Sequence, residues 1–587
     1  MEIKIKKLIL LLPSVLAAFA SFGQYDQNIA VEGRYLPEYV DHDRIGLFPK
    51  PLRLTIDNSS LEYSLTGVNA NFRPQAVPLQ ATGWETLRRV SDSRGYIELG
   101  AGSWLQSTLS AGYRFIDSRS SAFGVRLQHN STSLWKPVSD LDTRQWRYDE
   151  SIGLYGHHNF ENVGRLKAAA DYHIGNFNYY GFQSAPGDAA PTQTLNDIAL
   201  KVSWHSMRPD SKARWYVQAG ARYFGYRSFY APSLGSDFRH WAGGRETDIN
   251  LSAGIDFQTA SKSAVGIDLQ GDYLLYAKPS TKADASPGVS LPDLDPYGLI
   301  RLTPYYRFET QGFFLRLGAE VDLAFDAGAA DARYEAFHIA PSARLGYNAG
   351  AFAFYINAMG GSELHTLASG YQLDYYQMPV LTSTAPVYSP IDAKVGVTFG
   401  PFSGFHAGAD IAFKRSKDLY FGGLYQLYLN NEMSLGGACY DQQGISVGVN
   451  VGYDAGRYFC LNAAGNYQPQ KGKTGYFNGY DRPEWTSEIS AETNPWSSLK
   501  FKLGYKLRAM RMVAVPASDY TEDSSRSAVD SFHIPNLSML NFGVSYGITD
   551  SFNVWLQADN LLCRRQYYMP GLPEPGLRLS AGLGISF

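Results

Sequence analysis

From about Tyr96 to the last residue, Phe587, the chain keeps returning to one pattern: long segments in which every second side chain is apolar, each ended by a polar or glycine-rich break. This two-residue period constrains the fold more tightly than any other feature, because it puts successive side chains on opposite faces of a strand and cannot form one face of a helix. In DINLSAGIDFQ, Ile249, Leu251, Ala253, Ile255 and Phe257 share a face against Asp248, Asn250, Ser252, Asp256 and Gln258. In VGIDLQGDYLL, Val265, Ile267, Leu269, Tyr273 and Leu275 oppose Asp268, Gln270 and Asp272, so the two segments read as one antiparallel hairpin. FFLRLGAEVDLAF sets Phe313, Leu315, Leu317, Ala319, Val321, Leu323 and Phe325 against Arg316, Glu320 and Asp322.

The segments run to nine residues or more, whereas strands of soluble sandwiches average about five or six. Transmembrane strands need about 9–11 residues. The expected fold is therefore all-β, a large transmembrane antiparallel β-barrel whose apolar face meets lipid and whose polar face lines a lumen. Between about 20 and 24 candidate strands fit; because single-chain bacterial barrels have even strand numbers, about 22 is expected, with 18 or 20 as alternatives. The weakest assignments lie around residues 360–390 and 416–440. Tyrosines at segment ends, in DYHIGNFNYYGF, GARYFGYRSFY and LTPYYRF, are expected at the lipid–water boundary.

The N-terminus carries Lys4, Lys6 and Lys7 ahead of the apolar run Leu8–Phe19, as a secretory signal peptide does, with cleavage expected after Gly23. Beyond it no apolar stretch reaches the ~20 residues of a membrane helix. The expected division is a signal peptide at 1–23, a short proline-rich segment at 24–95 in the lumen or on the periplasmic side, and the barrel at 96–587, in the outer membrane.

Several chemistries find little support. A formal charge of -3 argues against nucleic-acid binding. The three cysteines, Cys439, Cys460 and Cys563, are too few and too far apart for a disulfide scaffold, and neither they nor His157-His158 have the spacing of a metal site. The hydrolase-like GxSxG matches around Ser446 and Ser545 fall inside alternating strands, not at the strand-to-helix turn that exposes a nucleophile. Carboxylates such as Asp256 with Asp268 and Glu320 with Asp322, and the basic set Lys500, Lys502, Lys506 and Arg508, read as luminal side chains that pair with one another. No catalytic, cofactor or metal residue is assigned, and the chain is not read as an enzyme.

The last residues narrow the class. LQADNLLCRRQYYMPGLPEPGLRLSAGLGISF carries Asn560 and Leu561, then Arg564, Arg565 and Tyr567, turns at Pro570-Gly571 and Pro575-Gly576, Arg578, and a closing strand. Together they resemble the C-terminal end of TonB-dependent receptors. The resemblance implies a 22-stranded barrel filled by an N-terminal plug behind an energy-coupling segment. Only about 71 residues separate Gln24 from Tyr96, without a plug-like signature, so the chain is read as this type of barrel lacking a full plug. So wide a lumen needs filling, which is expected from the N-terminal segment, from inward-folded loops, or from a partner such as a surface lipoprotein. The closing strand, with Leu577, Leu579, Leu583, Ile585 and Phe587 facing lipid, resembles the signal read by the outer-membrane assembly machinery. The expected function is substrate binding or passage across the outer membrane; the alternative is a non-transporting scaffold or accessory subunit of a larger outer-membrane complex.

Overall fold

The structure, a computed structural model, describes residues 93–134, 145–161, 163–179, 192–206, 211–228, 243–277, 296–325, 336–373, 375–376, 386–427, 433–456, 458–472, 483–516, 529–564, 566–569 and 572–587. The expected signal peptide and all but the end of the 24–95 segment lie outside these residues, as do Pro570 and Gly571.

Strands follow one another along the chain as β1 (Gly95–Gly102), β2 (Gln106–Asp117), β3 (Ser121–Ser133), β4 (Trp146–Phe160), β5 (Gly164–Asn178), β6 (Thr192–Ser206), β7 (Ala213–Tyr226), β8 (Arg245–Ala260) and β9 (Ser263–Ala277). The series continues with β10 (Tyr297–Glu309), β11 (Phe313–Phe325), β12 (Phe337–Ala349), β13 (Phe352–Glu363), the helix α1 (Leu367–Leu373), β14 (Val387–Phe402), β15 (Phe405–Leu427) and β16 (Met433–Asp454). It ends with β17 (Phe459–Tyr467), β18 (Gln470–Gly472), β19 (Trp485–Trp496), β20 (Leu499–Ala509), β21 (Arg511–Pro516), β22 (Val529–Ile534), β23 (Leu537–Gly547), β24 (Phe552–Asp559), β25 (Gln566–Met569), β26 (Leu572–Glu574) and β27 (Arg578–Ser586).

Twenty-three of these strands make one sheet. β17 and β18 both pair with β16 and are separated by Gln468-Pro469, where proline cannot donate to the ladder; they are one broken stave, so the barrel has 22 staves as expected. β1 pairs with β2 on one side and with β27 on the other, which closes the sheet and removes its edges.

The alternation settles which face is which. Ile249, Leu251 and Phe257 of β8 are 49%, 55% and 51% exposed on the outer surface, while Glu246 and Asp256 of the same strand are buried inside. Connections at one rim are short turns, and most of those at the other are longer, the three residues between β1 and β2 and the five between β15 and β16 being exceptions. The β14–β15 turn is only Ser403 and Gly404, both at positive φ (51° and 86°), the mirror-image turn that matches strand twist. At the loop rim β15 and β16 run to 23 and 22 residues and stay paired well beyond their neighbours, while β21–β22 and β25–β26 form separate two-stranded hairpins.

Inside, tyrosines sit over glycines on the facing strand: Tyr155 opposite Gly124, Tyr216 opposite Gly254, Tyr305 opposite Gly266 and Tyr355 opposite Gly396. A Cβ at any of these glycines would lie within 3.0 Å of the tyrosine. Of the segment-end tyrosines expected at the lipid–water boundary, only alternate residues face outward. Tyr306 is outward and 40% exposed, whereas Tyr305 points inward beneath the Arg316 guanidinium, 3.7 Å from the ring centre. Phe177, Tyr179, Phe224 and Tyr226 are buried because a loop covers them from inside.

Candidate functional site

That covering loop starts at Gly361. Its φ of +123° is a conformation side chains disfavour, and a Cβ there would run into the Glu320 carboxylate. β13 loses its pairing with β12 after Met359 and slips register against β14 between Met359 and Gly361; still paired with β14 through Glu363, the chain then crosses the inner face of the loop rim as a shelf, described over residues 362–373 and 375–376. Sequence reasoning found only a weak strand assignment here.

The shelf is pinned along its length. Its first peptide is held from two strands: the Ser362 N–H donates to Asp322 (2.7 Å) and the Ser362 carbonyl accepts from Arg301 (3.2 Å). Arg301 also pairs with Asp272, and both side chains are 3% or less exposed. The Tyr297 hydroxyl donates to the His365 carbonyl at 3.5 Å. α1 begins with a reciprocal cap: the Ser369 N–H donates to the Thr366 hydroxyl (2.9 Å) and the Thr366 N–H to the Ser369 hydroxyl (2.8 Å). The Leu367 N–H, an otherwise orphan helix donor, goes to Glu246 of β8 at 2.6 Å.

Past the helix, aromatic packing takes over. Tyr371 lies against Phe224 and Tyr226, and Tyr375 against Phe177 at 4.6 Å between ring centres. The Tyr375 ring carries the Arg147 guanidinium 3.5 Å from its centre, and its hydroxyl donates to Asp149 at 3.0 Å. Gln145 donates to the Tyr376 hydroxyl at 3.0 Å. Each buried ring contributes about 1.5–3 kcal/mol by leaving water, and favourable ring pairs add about 0.5–1.5 kcal/mol. Burial pushes the Tyr371 and Tyr375 phenols well above their ordinary range, so they stay neutral donors.

Most of the luminal side chains singled out from sequence pair with an opposite charge. Asp256 meets Arg214 and Arg307, Asp268 meets Arg316, Lys500 and Lys502 share Glu492, and Lys506 meets Glu488. Arg508 shares that face of β20. Ser446 and Ser545 lie mid-strand, opposite Ala412 and Lys500. His158 meets the Ser121 hydroxyl at 2.6 Å, and no cluster able to hold a metal occurs among the described residues.

The C-terminal motif residues converge at the loop rim. Asn560, at φ +54°, donates from its side chain to the Arg564 and Pro575 carbonyls (3.1 and 3.4 Å), and its N–H donates to Asn541. Where β24 departs, Gln566 takes its place, pairing through its amide with both the N–H and the C=O of Ser538. Arg511, 1% exposed, donates to the Tyr567 carbonyl at 2.8 Å. Leu561 remains attached to β23 through its N–H and the Leu540 carbonyl, Gly576 is half-buried, and Arg578 pairs with Asp559. Asn541, Gln566 and Arg511 escaped the sequence reading, since nothing local marks them. In β27, Leu579, Leu583 and Ile585 face outward, followed by Phe587; Leu577 precedes the strand and its carbonyl accepts from the Trp104 ring N–H at 3.3 Å.

No protein-family profile matches the sequence, and no curated protein matches it. The fold does match solved structures. The ferric enterobactin receptor PfeA of Pseudomonas aeruginosa superposes with a TM-score of 0.61 at 12% identity, covering 84% of this chain and 80% of that one. The siderophore receptor PirA of Acinetobacter baumannii gives the same TM-score, identity and coverage. The FrpB iron transporter of Neisseria meningitidis gives 0.61 at 10% identity, covering 84% and 82%. The architecture is that of the TonB-dependent receptor barrels.

Proposed function

We propose that this chain is an outer-membrane receptor of the TonB-dependent type, which binds a substrate at its loop rim and admits it through the lumen. The observation that carries this reading is the combination of a closed 22-stave barrel, apolar outside and charged inside, with a shelf across its mouth. Two solved proteins of this architecture are named for siderophores and two as iron or copper transporters, so an iron or copper species is the substrate class to try first. The working division remains a cleaved signal peptide, a short N-terminal segment and the barrel, with lipid around the barrel and the assembly machinery engaging its last strand. TonB would engage the N-terminal segment.

Deletion of the gene should abolish uptake of radiolabelled iron from at least one ferric siderophore in a panel, or of copper, with recovery on complementation. Uptake unchanged across the panel would remove the transport reading. The β15–β16 hairpin, projecting past the rim, favours one second reading: a scaffold that docks a surface lipoprotein. Co-purification of a stoichiometric lipoprotein, lost when the hairpin is shortened, would distinguish it.

A further inference from the structure

The lumen has two unlike halves, and we propose that the aqueous route through the barrel runs along the wall of β14–β20, the opposite half being permanently filled. This rests on the passage reading above and specifies where passage occurs. The shelf lies over β4–β11, pinned at one end by Asp322 and Arg301 and at the other by Tyr375 on Asp149, with fully buried rings between.

Beneath it the cation–carboxylate pairs among the described residues are mostly arginine pairs, such as Arg126–Asp171 and Arg222–Asp197, both at 2.6 Å, with His173 beside Asp149. Arginine's planar fork holds a carboxylate in fixed geometry, so these pairs brace one strand against the next. Glycines on this side are already occupied: a Cβ at Gly153 would strike Asp171 and Arg126, and one at Gly254 would strike Asp268 and Tyr216.

Across the lumen the resolved pairs are lysine pairs. Lys394–Asp410 and Lys506–Glu488 close at 2.9 and 2.8 Å, yet Glu488 is 57% exposed and Lys502 37%. A lysine head is a strongly hydrated point charge on a flexible stem, which yields to a passing solute at little cost. Gly504 of β20 faces the lumen on this wall, and among the described residues a Cβ built there meets nothing within 4 Å, although Gly396, Gly408, Gly448 and Gly452 of β14–β16 are met by Tyr355, Asn450, Asp410 and His406. Lysine pairs and the open position at Gly504 therefore lie on one side, and the deeply buried polar side chains Ser203, Gln218, Glu246, Asp272, Arg301 and Asp322 on the other.

Single cysteines test this in a chain whose Cys439, Cys460 and Cys563 are replaced by serine, reconstituted in phosphatidylcholine vesicles and treated with the membrane-impermeant thiol reagent methanethiosulfonate ethylsulfonate. Ser446→Cys, Ser490→Cys and Gly504→Cys on the lysine wall should react at least about tenfold faster than Ser203→Cys and Gln218→Cys, which need local opening to be reached. Heat-modifiable gel mobility checks that each variant is folded. Equal rates on the two walls, or faster reaction at Ser203→Cys and Gln218→Cys, would overturn the proposal. Leu251→Cys, on the outer face, should be shielded by lipid; its rapid labelling would instead overturn the membrane reading.

Discussion

Gly361 is where a strand residue becomes a shelf residue, and its position allows no side chain. Gly361→Ala places a Cβ against Glu320 in a backbone region that costs about 1–3 kcal/mol for other residues. The variant should lose its heat-modifiable band at a lower temperature and gain protease cuts within 362–376. Unchanged melting and digestion would show that the turn tolerates a side chain. Phe587 belongs to the same scale. Its N–H and C=O exchange hydrogen bonds with Gly95 at 2.9 and 2.8 Å, and its ring stacks near Tyr113. If it is also the residue the assembly machinery reads, deleting it lowers the folded barrel recovered from the outer membrane several-fold; equal recovery counts against that role. Asn560 was legible in the sequence as part of a motif, but Gln566 and Asn541 were not. Their work is to replace backbone partners that strand departure removes, and that need exists only in three dimensions.

At the level of elements, the strands were legible because lipid outside and water inside impose opposite demands on alternate residues. The shelf was not. LASGYQL is seven residues long, too short to show a helical period, and it forms because a cap and a Glu246 contact from a distant strand complete its first turn. The buried aromatics it covers look, in sequence, like boundary residues, since alternation gives the face but not what packs on that face. The tyrosine-over-glycine pairs join adjacent strands and yield a paired prediction. Gly254→Ala forces Tyr216 and Asp268 aside and should destabilise by about 1–3 kcal/mol. Gly504→Ala enters open space and should stay within about 0.5 kcal/mol of the parent. Unfolding midpoints in denaturant, compared under one detergent, separate the two; equal losses would mean that the luminal pairs brace nothing.

For the whole molecule, the mouth is narrowed by a shelf whose first half two carboxylates, Asp322 and Glu246, anchor. A Glu246→Ala, Asp322→Ala double variant leaves the Leu367 and Ser362 N–H groups without their acceptors and should free the shelf while the barrel closes as before. Vesicles carrying it should swell faster in a small sugar than vesicles carrying the parent chain; identical swelling would show that the shelf does not limit passage. The seam between β1 and β27 has a further consequence, one of timing. It joins residues as far apart as Gly95 and Phe587, 492 positions along the chain (587 less 95). No intermediate length of polypeptide can make that junction, and contacts this remote are reached slowly. Until β27 reaches β1, the assembling sheet is an unclosed ribbon with two bare margins that something else must shelter. β27 is thus also a clock: the barrel can close only once that strand is in place.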